Sequence, residues 1–194
     1  MLTKEWLGAL SVIIVVLATV PYVRQMLAGT IKPHLFTWII WTLTTCIAAA
    51  ARSSEQAGPG AWGQWAGGIS CLIVALLAWR LGEKQITRSD QIAFAIALLA
   101  IPVWQLTENA LAAVVIVTGI DLIGYYPTFR KSWLRPHEEA IFNYLAANVI
   151  HVLSLLATER YALVNVLFQV AVFTANSLLI FMVLWRRAQL AKAV

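Results

Sequence analysis

Charge is scarce in this chain. Of its 194 residues only 12% are Asp, Glu, Lys or Arg, about half the share of a soluble domain, while 61% are apolar and the mean hydropathy is +0.78. That balance excludes both an ordinary soluble domain and a disordered segment, and it points to a chain dissolved in a lipid bilayer. Cysteine is scarce as well. Cys46 and Cys71 lie inside apolar runs with no CxxC or Cys/His spacing, so neither a disulfide framework nor a metal centre is expected, and the two read as packing residues. Carboxylates are fewer than cations, 9 against 14, giving a net charge of +5. In a polytopic protein such an excess records membrane orientation, so no nucleic-acid partner is expected.

What is present is a series of long uncharged runs. They cover Trp6–Val23, Leu35–Ala51, Gln56–Trp79, Gln91–Thr107, Asn109–Phe129, Ala140–Thr158 and Tyr161–Trp185. Crossing the hydrocarbon core takes on the order of 20 residues per helix, so these runs predict an all-α membrane protein of seven transmembrane helices. Little chain is left for a catalytic or nucleotide-binding domain. Lys4 before the first run resembles the start of a secretory signal, but Ala18-Thr19-Val20-Pro21 is a poor cleavage site and the first run reads as a true span.

The cations sort by side. The N-terminus and the loops after spans 2, 4 and 6 hold Lys4, Arg52 and Arg160, whereas the other loops and the C-terminus hold Arg24, Lys32, Arg80, Lys84, Arg88, Arg130, Lys131, Arg135, Arg186, Arg187 and Lys192. Positive charge collects on the cytoplasmic side, so the expected topology has the N-terminus outside and the C-terminus in the cytoplasm; the expected location is a plasma (bacterial inner) membrane, crossed several times. Trp6, Trp62 and Trp104 fall near the outer boundary, and Trp79, Trp133 and Trp185 near the inner one, as interfacial belts would.

The sequence also repeats itself. Pro21-Tyr22-Val23-Arg24-Gln25 aligns with Pro127-Thr128-Phe129-Arg130-Lys131, Lys32-Pro33-His34 with Arg135-Pro136-His137, and Trp79-Arg80 with Trp185-Arg186. The repeat covers spans 1–3 and 5–7 and leaves span 4 unpaired. Three crossings reverse the chain, so a fourth is required for both halves to insert the same way round. The expected organisation is 3+1+3: a first three-helix bundle over 1–81, a linker helix over 82–108 and a second, parallel bundle over 109–194. This layout, with a proline near the inner end of spans 1 and 5 and a basic loop after each, resembles the SWEET and PQ-loop superfamily of seven-span transporters. Pro21-Tyr22 and Pro127-Thr128 stand where that family has Pro-Gln, and the Pro-His and Trp38-Ile-Ile-Trp41 segment looks like an uncharacterised bacterial branch.

Polar residues within the spans are the candidates for chemistry, because hydrocarbon penalises an unsatisfied polar group by several kcal/mol. At about 1.5 Å per residue, Asp121, Asn148 and Asn176 reach the midplane. Their counterparts in the first half are Val15, Thr45 and Ser70, and all five asparagines lie after span 4. The resemblance implies a central pocket with an asparagine on the third helix of a bundle, the place of Asn176. The candidate solute-binding residues are therefore Asn176, Asn148, Ser70, Thr45 and, as a stacking surface, Trp41. Asp121 is the one carboxylate well inside a span and is the candidate for proton coupling, with His151 as partner or relay. Pro21 and Pro127, which interrupt helix hydrogen bonding, are the candidate hinges. Each has a structural alternative, from interhelical bracing for the amides to a static kink for the prolines.

Other seven-span functions fit less well. A retinal photoreceptor requires a lysine in the last span, and Tyr161–Trp185 has none; an intramembrane aspartyl protease requires a second carboxylate beside Asp121. The expected function is that of a carrier, not an enzyme, with no cofactor. It would move a small polar solute such as a sugar, amino acid or vitamin-like metabolite by alternating access. The alternative is a ligand receptor or trafficking scaffold on the same fold, and the sequence leaves homo-oligomerisation open.

Overall fold

In the computed structural model the described residues are 3–29, 35–82, 88, 91, 92, 95, 98, 99, 102, 106, 109–134, 136–138 and 141–191. They form an all-α protein. The helices are α1 (Lys4–Leu27), α2 (Leu35–Ser54), α3 (Trp62–Leu81), α4 (Ala110–Leu134), α5 (Ile141–Ala157) and α6 (Leu163–Ala191), with short 3-10 turns at Gly58–Ala61 and Pro136–Glu138. These correspond to spans 1–3 and 5–7. Span 4 and the Lys32-Pro33-His34 motif lie mostly or wholly outside the described residues. Among the described residues three segments, Lys4–Leu27, Gly58–Leu81 and Leu163–Ala191, are long and apolar enough to cross a membrane, and Ala110–Ile123 and Ile141–Ala157 are shorter apolar stretches.

The apolar residues that drive this fold are spread around each helix rather than gathered on one face, and the outward surfaces are clad in Leu, Ile, Val and Trp. Contacts between helices are made by small residues: Ala48, Ala51 and Ala113 are fully buried where α2 meets α4. Such residues let backbones approach closely, which matters where lipid offers apolar groups as good a solvent as the protein interior does.

Within the first half α3 packs on both α1 and α2, and within the second α6 packs on both α4 and α5; across the halves α1 meets α5 and α2 meets α4. Exchanging α1 with α4, α2 with α5 and α3 with α6 turns each close helix pair into another one. Lys4 at the start of α1 reaches the Thr158 carbonyl beyond the end of α5, Arg52 near the end of α2 reaches Gln64 at the start of α3, and Asn165 at the start of α6 reaches the Glu55 carbonyl. The start of α4 packs on Ala51 and Val164. Hence α1, α3, α4 and α6 run away from the end that carries Arg52, and α2 and α5 run back towards it. Trp6 and Trp62 are exposed near the Arg52 end and Trp79, Trp133 and Trp185 at the other, so the tryptophans form two belts.

Candidate functional site

Polar side chains inside the bundle fall into two layers, separated by roughly two to three helical turns along α2 and α6. The deeper layer holds the residues expected at the midplane. Tyr125 Oη donates to Asn176 Oδ1 at 2.6 Å, tying α4 to α6. In the first half the hydroxyls of Thr19 and Ser70 lie 3.0 Å apart, tying α1 to α3. These two bonds join equivalent positions: Thr19 and Ser70 map onto Tyr125 and Asn176 at the same offset as Trp79 onto Trp185. The spacing of the repeat thus reappears as a repeated contact.

Asn148 Nδ2 on α5 donates to Ser177 Oγ on α6 at 3.0 Å. Thr45 faces α3, where Gly67 lies opposite it. Asp121 projects from α4 towards α2, where Thr44 lies beside it, and Cys71 and Tyr125 are close by. Three atoms of this layer are buried without a partner: Asp121 Oδ1, Asn148 Oδ1 and Asn176 Nδ2. A buried polar atom left unpaired costs about 1–3 kcal/mol, so this layer keeps an acceptor on α4, another on α5 and a donor on α6 that a polar partner would satisfy.

Trp41 is elsewhere. It is 39% exposed and packs edge-on against Trp38, whose ring lies 5.2 Å from both Trp41 and Tyr22. Pro21 sits inside α1, which continues to Leu27; at this position the Leu17 carbonyl loses its helix donor. Pro127 likewise falls within α4, and its side chain is outside the described residues.

The second layer was not foreseen. Arg52, expected in an outer loop, is the last-turn residue of a helix that runs on to Ser54, and it is 0% exposed. Its Nη1 donates to Gln64 Oε1 at 2.9 Å and to Ser154 Oγ at 3.0 Å, and its Nη2 donates to Thr158 Oγ1 at 3.1 Å. The two hydroxyls are oriented for this, since Ser154 gives its proton to the Gly60 carbonyl and Thr158 gives its own to the Ser154 carbonyl. Gln169 Nε2 donates to the same Gln64 oxygen at 2.8 Å. Gln169 Oε1 then faces His151 Nδ1, whose proton is assigned by that partner. The structure therefore places His151 in the Arg52 cluster through Gln169, and Thr44 takes the place beside Asp121.

Close backbone approach makes this layer possible. A Cβ on Gly60 would stand 2.8 Å from the Ser154 carbonyl oxygen, and one on Gly8 would stand 2.7 Å from the Pro59 carbonyl oxygen. Either side chain would hold the helices apart. The signal available in the sequence is the set of uncharged polar residues Gln64, Ser154 and Thr158 inside the apolar runs, which share Arg52 as their common partner.

Comparison with protein-family models, with curated proteins and with solved structures returns no match.

Proposed function

We propose that this chain is a seven-span membrane carrier of the SWEET and PQ-loop type, moving a small polar solute by alternating access between two parallel three-helix halves. The observation that carries this reading is the buried mid-layer: Asp121, Asn148 and Asn176, contributed by three helices of one half, keep unpaired atoms at the depth where a solute would pass. The repeated Thr19–Ser70 and Tyr125–Asn176 bonds support the parallel repeat. Since α3 ends away from the Arg52 end and α4 begins at it, residues 82–109 must connect opposite ends of the bundle, which supports span 4 as the linker helix.

The charge distribution supports an outer Arg52 end and a cytoplasmic C-terminus in an inner membrane. Asp121 is the group through which a proton could be coupled, and no cofactor, metal or enzymatic step is part of the proposal. The experiment is a thermal-shift screen of the purified protein against small metabolites, followed by counterflow of the hits in proteoliposomes. Asn176→Ala should weaken binding of a hit by roughly 1–3 kcal/mol, because it removes an amide that a buried solute would use. Hits that bind but never exchange across the bilayer would favour the receptor alternative. Unchanged affinity in a folded Asn176→Ala protein would move the site away from this layer.

A further inference from the structure

The Arg52 cluster has more donors than acceptors. Among the described residues no carboxylate lies within 4.0 Å of the guanidinium, and the ion pair in this region, Arg160 with Glu55 at 3.9 Å, does not include it. Both lone pairs of Gln64 Oε1 are taken, by Arg52 and Gln169, and the Gln169 oxygen is turned to His151. The Ser154 and Thr158 oxygens already accept from Arg52. Two buried donors remain without an acceptor, Arg52 Nε and Gln64 Nε2. A full positive charge, enclosed and surrounded by neutral groups, carries a desolvation penalty of several kcal/mol that neutral hydrogen bonds offset only in part.

We infer that the Arg52 cluster is a binding site for one small anion, a halide or a carboxylate group, held by Arg52 and Gln64 between the two halves of the protein. An anion supplies the missing counter-charge and an acceptor where the idle donors have none. Arg52 and Gln64 belong to the first half, while Ser154, Thr158 and Gln169 belong to the second, so the ligand would strengthen the junction at which the halves meet. This inference does not depend on transport and is testable on the full-length protein in detergent.

The test is the melting temperature of the wild-type chain as sodium chloride or sodium acetate replaces a bulky sulfonate salt at constant ionic strength. A saturable rise is expected, roughly 5 °C at concentrations far above the dissociation constant, and it should vanish in Arg52→Gln. Should that variant not fold, retention of radiolabelled chloride by the wild-type chain, at about one ion per chain, provides the second readout; acetate competing for the label identifies a carboxylate site, and acetate without effect a halide site. Equal melting temperatures in all three salts together with no retained chloride would overturn the inference. So would an anion response that persists in a folded Arg52→Gln protein.

Discussion

The two ends of the bundle are built differently. At the Arg52 end the halves are stitched together: Lys4 to the Thr158 carbonyl, Arg52 to Ser154 and Thr158, the Glu159 amide to the Ala57 carbonyl, Asn165 to the Glu55 carbonyl and Gln169 to Gln64. At the opposite end Trp133, Trp185, Arg186, Arg187 and Pro136 make contacts within one half. Trp133 stacks near Trp185 at 5.6 Å, Arg186 lies 4.7 Å from the Trp133 ring centre, and Arg187 Nε donates to the Pro136 carbonyl at 3.0 Å. In the first half Met26, Leu35, Val74 and Ala78 form a local apolar cluster. A bundle joined at one end and divided at the other is closed at the joined end. For the proposed carrier this arrangement closes the Arg52 side and leaves the other side as the one where the halves part.

The comparison is broken most completely by orientation. A reporter that requires the cytoplasm should be active when fused after Val194 and inactive when fused before Met1, and the reverse pattern would exchange the outer and inner ends.

The next largest effect concerns stability. Arg52→Ala removes the charged donor shared by Gln64 Oε1, Ser154 and Thr158 at the junction, and it should lower stability by roughly 2–4 kcal/mol, since hydrogen bonds to charged groups contribute more than neutral ones. A denaturant midpoint unchanged from wild type would show that the junction does not depend on the guanidinium.

At the other end the effect should be small. Arg186→Ala removes a half-buried cation over an exposed ring, an interaction of about 0.5–1 kcal/mol, and thermal unfolding should register little. An Arg186→Ala loss as large as that of Arg52→Ala would erase the difference between the ends.

Much of the fold was legible because its signals are local. The helices fall within a few residues of the uncharged runs: α5 at Ile141–Ala157 against a run of Ala140–Thr158, and α6 at Leu163–Ala191 against Tyr161–Trp185. The offset that aligns Trp79-Arg80 with Trp185-Arg186 also relates Ser70 to Asn176, and these two make matching bonds, to Thr19 and to Tyr125. Arg52 was misplaced because its nearest sequence neighbours, Ala51 and Ser53, suggest a helix end in water. Its partners stand 12, 102 and 106 residues away, and no local pattern announces them. For Trp41 and His151 depth was readable from rise per residue, but the direction of the side chain was not; that depends on which helix packs alongside. Gln56–Trp79 began too early for a related reason. Pro59 sits in a 3-10 turn packed under Gly8, and α3 starts only at Trp62.

In the proposed carrier, alternating access requires the halves to separate at the Arg52 end for solute to cross. Glu55 and Arg160 face each other across the junction, with Oε2 and Nη1 3.9 Å apart. A Glu55→Cys, Arg160→Cys protein with Cys46 and Cys71 replaced by alanine can be closed with a short reducible dithiol cross-linker and assayed in proteoliposomes for counterflow of a solute found by the thermal-shift screen. The predicted result is that exchange stops when the cross-link forms and returns on reduction. Exchange at the unlinked rate in fully cross-linked protein would contradict the claim.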